Sequence, residues 1–508
     1  MRIRSDVVIA VCVGVLGGVA SASVLFLYDV SLWFAALVSV AGGAAAMGMR
    51  GRRRTIGLVV FLACLIGIAR FAVVVGSDVV LDAYAKQMVT IQGRVVNVAT
   101  YTNGGSLVRL KEVTLHLPRG ETQPIRLPVV LIAPSDATSF RYGNILQAPC
   151  RFVLAEDVQD RVGQAGVCRV QQRDDVRVLA SGAGSPTLLA LSRIRERLIG
   201  LTDTMLLNPA SGMVQSALLN NRGAVDEDLR GAFRKTGTVH VLVVSGAHMS
   251  IIALLLGYCF RLLPIHRRTA LWCAIATIAV FVLMVGCSAS AIRGALMAIA
   301  VLSIELFGRV ASPVRVLLLI ATVMVIVHPA ILAFSLAFQL SFAATFGILV
   351  LTPMIASLFP RWSGWMGESR DCFSASLAAS ISTAPLLMGA VGSIALIGPL
   401  INVPIILLLP AFLLSGIIFL AVAVIAPFVV APFVYIVDML ARAMTWIVMR
   451  TADIPGTQFT VGALDWWFIA GIYVLVGMII VYWSRQRGIA LLSPFGLRTD
   501  RSPVRFMS

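Results

Sequence analysis

The chain has 508 residues, 59% of them hydrophobic and only 13% charged, and its mean hydropathy is +0.92. Its formal net charge of +17 is large for so few charged positions. That composition excludes a soluble globular domain and describes a polytopic α-helical membrane protein. Its excess of Lys and Arg fits cytoplasmic loops and is compatible with a polyanionic substrate.

Apolar stretches near 7–27 and 32–49 are each long enough to span a bilayer. The first is too long, and too closely followed by the second, for a cleaved signal peptide. Arg50, Arg52, Arg53 and Arg54 follow, then a third span near 55–76. Four arginines in a short loop belong in the cytoplasm. Residues 1–80 therefore read as three transmembrane helices with the N-terminus inside, and the chain after them lies outside.

Segment 86–180 changes character. Val89, Ile91, Gly93 and Val95 alternate with polar residues, and Asn103-Gly104-Gly105, Pro118-Arg119-Gly120 and Tyr142-Gly143-Asn144 punctuate further alternating runs. These read as five or six short antiparallel strands, closed into a small extracytoplasmic all-β, OB-like barrel inserted between the helices. Lys and Arg outnumber Asp and Glu there by twelve to eight, which leaves both a DNA contact and a scaffold role open. Of the eight cysteines, none belongs to a Cys-x-x-Cys. Cys12, Cys64, Cys259, Cys273 and Cys287 lie in apolar spans, and Cys372 opens another. Cys150 and Cys168 share the outside segment, each the only Cys in its strand, and an oxidising compartment is expected to join them as a disulfide.

A Ser-Gly-Ala-Gly-Ser-Pro linker at 181–186 leads into residues 187–235, an amphipathic interfacial helix followed by a mixed-charge helix and loop. Residues 236–484 form the polytopic part. Spans are expected near 239–260, 270–286, 289–307, 314–328, 331–351 and 372–391. Every second loop among them is basic (Arg261, Arg267 and Arg268; Arg309 and Arg315; Arg361 and Arg370), as required if the first of them enters from outside. Segments 393–409 and 411–430 are apolar and rich in Pro and Gly. Residues 433–450 read as a helix lying on the outer interface, and 465–483 as the last span, opened by Asp465-Trp466-Trp467. The basic tail 485–508 then lies in the cytoplasm.

The polar residues of the apolar part are grouped. Val244-Ser245-Gly246-Ala247-His248 follows a Thr236-Gly237 and His240, at the start of the expected span 239–260. Gly286-Cys287-Ser288-Ala289-Ser290-Ala291-Ile292-Arg293-Gly294 places small residues and an Arg at the head of another. Phe338-Gln339-Leu340-Ser341-Phe342, followed by Thr345 and Gly347, carries part of a Phe stripe at every fourth position. Such a stripe serves either helix packing or base stacking. Ile401-Asn402-Val403-Pro404 implies a broken or re-entrant helix, tolerated only where it is buried in protein or lines a cavity. His240 and His248, about 80° apart on a helix, do not make a metal pair. Ser245 beside His248 lacks both a Gly-x-Ser-x-Gly and an acid partner for hydrolysis. Arg293 either snorkels to the outer interface or contacts phosphate.

These motifs, with Asn221-Arg222-Gly223, Leu229-Arg230 and Phe233-Arg234-Lys235-Thr236-Gly237 ahead of them, resemble those of the ComEC competence-protein family over roughly residues 20–480. The resemblance implies an inner-membrane channel for uptake of single-stranded DNA in natural transformation, with no cofactor or metal. The DNA path would run past His240, Ser245, Gly246, His248, Arg293, Phe338, Gln339, Ser341, Phe342, Asn402 and Pro404. It also implies membrane lipid, a periplasmic DNA receptor, a separate nuclease and a cytoplasmic helicase or single-strand-binding protein as partners. Many relatives add a C-terminal metallo-β-lactamase-like domain. No His-x-His-x-Asp-His occurs here, so a nuclease is not expected in this chain. The competing reading is a secondary transporter or lipid-handling protein of the same architecture.

Overall fold

A computed structural model describes residues 2–27, 52–75, 88–100, 106–116, 122–125, 129–133, 140–153, 166–170, 176–261, 265–306, 312–360, 363–460, 462 and 464–486. The expected second span at 32–49, Arg50 and the basic tail after Gln486 lie outside them. Most described residues are helical, and six helices are long and apolar enough to cross a membrane, with five shorter apolar ones beside them.

The first two helices, α1 (Arg2–Leu27) and α2 (Arg52–Val75), pack through glycine. A Cβ at Gly14 would meet Val60 and Ala63, one at Gly18 would meet Cys64, and one at Gly67 would meet Val15 and Gly18. Contacts that advance together along both chains make the helices parallel. Without Cβ atoms the backbones approach closely, which is how apolar helices attract one another in lipid.

Seven strands follow among the described residues: β1 (Met88–Thr100), β2 (Ser106–His116), β3 (Thr122–Ile125), β4 (Val129–Ala133), β5 (Ile145–Val153), β6 (Gly166–Arg169) and β7 (Arg177–Ala180). Five or six were expected, because the short β3 and β7 carry little alternation of their own. Strand β1 pairs with β2, β2 with β4, β4 with β6, β6 with β5, and β5 returns to β1. The five ladders close into a ring; β4–β6 is parallel and the others are antiparallel. Strand β3 pairs with β2 beyond β4, and β7 with β5 beyond β6.

Alternate residues fill the ring: Val89, Ile91, Val95, Val108, Leu110, Val113, Leu131 and Leu146 are buried. The alternation slips once in β2, where Lys111 and Glu112 both face out and Glu112 sits at φ +54. That extra residue is a bulge opposite Gly93. Cys150 on β5 and Cys168 on β6 are joined as a disulfide, with Cα atoms 5.4 Å apart.

The strand region is fastened to the linker and helix after it. Ala183 N–H donates to Gly143 at 2.8 Å, and Arg141 reaches Glu196 of α3 (Pro186–Met205) at 3.6 Å. Within the strands, Arg94 bonds both Glu112 oxygens and holds that carboxyl below its ordinary range. The tie is complete above the free carboxylate value of about 4.3 and is lost as pH falls through the lower folded value.

The helical part continues with α4 (Ala210–Leu219), α5 (Glu227–Lys235), α6 (Gly246–Arg261), α7 (Arg267–Met284), α8 (Ala289–Leu306), α9 (Pro313–Val327), α10 (Ile331–Phe334), α11 (Leu336–Ala356) and α12 (Trp365–Ala390). Last come β8 (Ser393–Ala395), α13 (Gly398–Ile425), α14 (Ala431–Ala452), β9 (Gln458–Thr460) and α15 (Trp466–Gln486). One core gathers α4, α5, α13 and α14 around Met213, Phe233, Phe412 and Met444.

Two expectations change here. Residues 398–425 form one unbroken helix, so Asn402 and Pro404 do not mark a break. Ile405, Leu409, Phe412 and Leu413 bury one face of it, and that packing outweighs the hydrogen bonds lost at Pro404 and Pro410. Helix α14, expected on the interface, is also long and apolar enough to cross. Val437, Ala441, Met444 and Val448 are its buried stripe.

The disulfide yields a direct test. Cys150→Ser should lower the stability of the strand region by about 3 kcal/mol, the loop-closure value for a bridge of this span. In unreduced, unfolded protein neither thiol should alkylate; labelling of both would contradict the bond.

Candidate functional site

The stretch 236–245 is not helical in the α sense. Gly237 takes φ +73, where a side chain would be strained. The Thr236 and Thr238 hydroxyls donate to carbonyls of the preceding turn, at Ala232 and Phe233. Val239–Leu242 is a single 3₁₀ turn, and the α-helix begins only at Gly246. The expected span 239–260 is therefore shortened at its head, and His240 stands before the helix. β-Branched residues at 238, 239, 241, 243 and 244 disfavour an earlier start.

What starts α6 is the Ser245/His248 pair. Ser245 precedes the first helical residue, and His248 reaches back from the first turn. Its Nδ1 accepts from the Ser245 N–H at 3.2 Å and lies 2.9 Å from the Ser245 hydroxyl. This is one half of a capping box, the bond back to the N-cap N–H, with His in the place usually held by Glu or Gln. The pair that mimics a hydrolase dyad is a helix start. With Nδ1 accepting a backbone N–H, the neutral ring carries its proton on Nε2. That atom is buried and has no hydrogen-bond partner.

Helix α8 lies parallel to α6 and very close to it. Ser290 Oγ donates to Val244 O at 2.9 Å, and a Cβ on Gly294 would fall 2.8 Å from Gly246 Cα. One residue earlier, Arg293 is only 9% exposed. Its Nε donates to Ser341 Oγ at 2.6 Å and its Nη1 to Thr345 Oγ1 at 2.7 Å, both on α11. The guanidinium also stands 5.9 Å from the Phe342 ring centre. Arg293 thus turns inward onto hydroxyls rather than snorkelling outward.

Ser245, Gly246, His248, Arg293, Ser341 and Phe342 accordingly come together. Thr345 belongs with them; its spacing of four from Ser341 on one helix face was the available sign. The remaining candidates are used differently. Gln339 sits about 200° round α11 from Ser341, and its amide donates to Leu332 and Ala333 at 2.9 Å each. It bridges the break between α10 and α11, where Ser335 caps Phe338.

That break also interrupts the expected Phe stripe. Phe338 is 2% exposed in a core shared with α1, α2 and α9, 4.4 Å from the Phe342 ring. It packs, and offers no face to a base. Asn402 donates to Ser376 of α12 at 2.7 Å while its Oδ1 stays buried without a partner.

Residues 217–486, more than half of the chain, match the family described as Competence protein. ComE operon protein 3 of Bacillus subtilis (strain 168) is 28% identical over 195 residues, 38% of this chain and 24% of that relative. The matched stretch spans about a quarter of the relative's length. No solved structure matches.

The close approach of α6 and α8 is open to test. Gly294→Val would force the two helices apart and should destabilise the protein by about 1–3 kcal/mol. Thermal unfolding of the purified variant in detergent reads this, and an unchanged midpoint would contradict the packing.

Proposed function

The chain belongs to the ComEC competence-protein family, and from that membership we propose that it is the inner-membrane channel through which single-stranded DNA enters the cytoplasm. One observation carries the reading beyond family membership: a buried guanidinium held by hydroxyls among otherwise apolar helices. Every phosphate of a nucleic acid is charged, so a strand cannot cross hydrocarbon and needs a continuous polar surface. A lining of mostly neutral donors suits passage better than a ladder of arginines, which would hold the phosphates too tightly to release them.

The rest of the arrangement follows from the same reading. The N-terminus and the tail 485–508 are cytoplasmic, and the strand region lies outside as an OB-like barrel. The closed five-strand order supports that assignment. Parallel packing of α1 and α2 supports putting the starts of both on the same side of the membrane. Arg70 near the end of α2 donates to Ile326 O and Val327 O at the end of α9, which supports putting both ends on the outer side.

A periplasmic DNA receptor delivers the strand, a separate nuclease removes its complement, and a cytoplasmic helicase or single-strand-binding protein receives it.

A deletion strain given labelled DNA tests this. It should accumulate label outside the inner membrane, yield no transformants, and recover both with the intact gene. Normal transformation without the chain, or a defect confined to growth on a small solute, would refute the channel and favour a transporter.

A further inference from the structure

The helix start at Ser245 is short of acceptors. Arg293 has five N–H bonds to offer; Nε and Nη1 each give one to a hydroxyl, and Nη2 has no hydrogen-bond partner among the described residues. No described carboxylate lies within salt-bridge distance of it.

A permanent charge buried this deeply is costly unless an opposite charge meets it. Two neutral hydroxyls do not supply one. Beside it, the first N–H groups of α6 have no intrahelical partner, and the dipole of that helix adds partial positive charge. Gly246 leaves this turn bare on the side of the guanidinium: a Cβ there would stand 3.5 Å from Nη2 and 3.9 Å from Nη1. Every unmatched group in the cluster is a donor.

We propose that Arg293 and the first turn of α6 form a binding site for one phosphate oxyanion, made of donors alone. Resting on the channel reading, this specifies which part of the strand is held there: the backbone phosphodiester, one at a time, and not the base. The Ser341 and Thr345 hydroxyls hold the guanidinium level with Gly246 and leave Nη2 for the ligand. Recognition through phosphate charge is indifferent to sequence. The single cationic side chain binds each phosphate weakly enough for the next to replace it.

The test uses the full chain in lipid nanodiscs and a fluorescent single-stranded oligonucleotide, read by anisotropy. Wild-type protein should bind the phosphodiester strand and bind a methylphosphonate strand of the same sequence at least tenfold more weakly. Arg293→Gln and Gly246→Val should each weaken the phosphodiester strand by about tenfold or more. Arg293→Lys should fall between Arg293→Gln and the wild type. Inorganic phosphate should compete only where Arg293 is present.

Equal binding of charged and uncharged strands by the wild type would overturn the site without reference to any variant. Phosphate binding that depends on Arg293, with no strand bound, would assign the site to a free anion and remove it from the strand's path. The two readings fail separately. A deletion strain that cannot internalise DNA, together with an Arg293→Gln protein that binds strand normally, keeps the channel and discards the site.

Discussion

The near-contact of Gly246 with Gly294 is the constraint on which the central arrangement depends. Because neither residue has a side chain, α6 and α8 run side by side with their backbones almost touching. Only then does the residue before Gly294 project past α6 toward α11. There Arg293 finds Ser341 and Thr345, spaced one turn apart to match Nε and Nη1. Thr345 in turn donates its own proton to the Ser341 carbonyl at 2.9 Å, which leaves its lone pairs for the guanidinium. A helix pair, a buried charge and a third helix are thereby fixed by two absent Cβ atoms.

The strand region is closed by its own pairing. Its ring closes on itself, so its five main strands leave few unpaired edges, and the disulfide ties β5 to β6. Among the described residues, the Gly143 turn and the Arg141–Glu196 pair fasten it to the linker and α3, and the bulge turns Lys111 and Glu112 out together. Without the bulge, one of those two side chains would point into the barrel. With it, Arg94 gains its carboxylate.

Much of this was legible in the chain itself. Apolar runs, basic loops and period-two alternation gave the helices, the strand region and the pairing of Cys150 with Cys168, because each rests on a local pattern that hydrophobic burial enforces. Three features were not legible, and each for a physical reason. The late start of α6 depends on Gly237 adopting a positive φ and on a His completing a cap usually completed by Glu, so the apolar run overstates the helix. The continuity of α13 through Pro404 and Pro410 depends on burial against neighbouring helices, which local sequence does not report. The inward turn of Arg293 is a long-range contact, and nothing within α8 distinguishes it from an arginine at the interface. Gln339 and Asn402 are tied within the helices: their amides donate to Leu332, Ala333 and Ser376.

The central claim is that the strand passes the buried donors between α6, α8 and α11. It is tested most directly by crosslinking a strand halted in transit. A labelled strand with a bulky end would be stalled in cells whose protein carries a photo-crosslinker in place of Ser341 or, for comparison, of Leu254, which is 70% exposed on the outer face of α6. Crosslinking at 341 and none at 254 is the predicted result. Crosslinking at 254 with none at 341, in protein of normal abundance, would contradict the account.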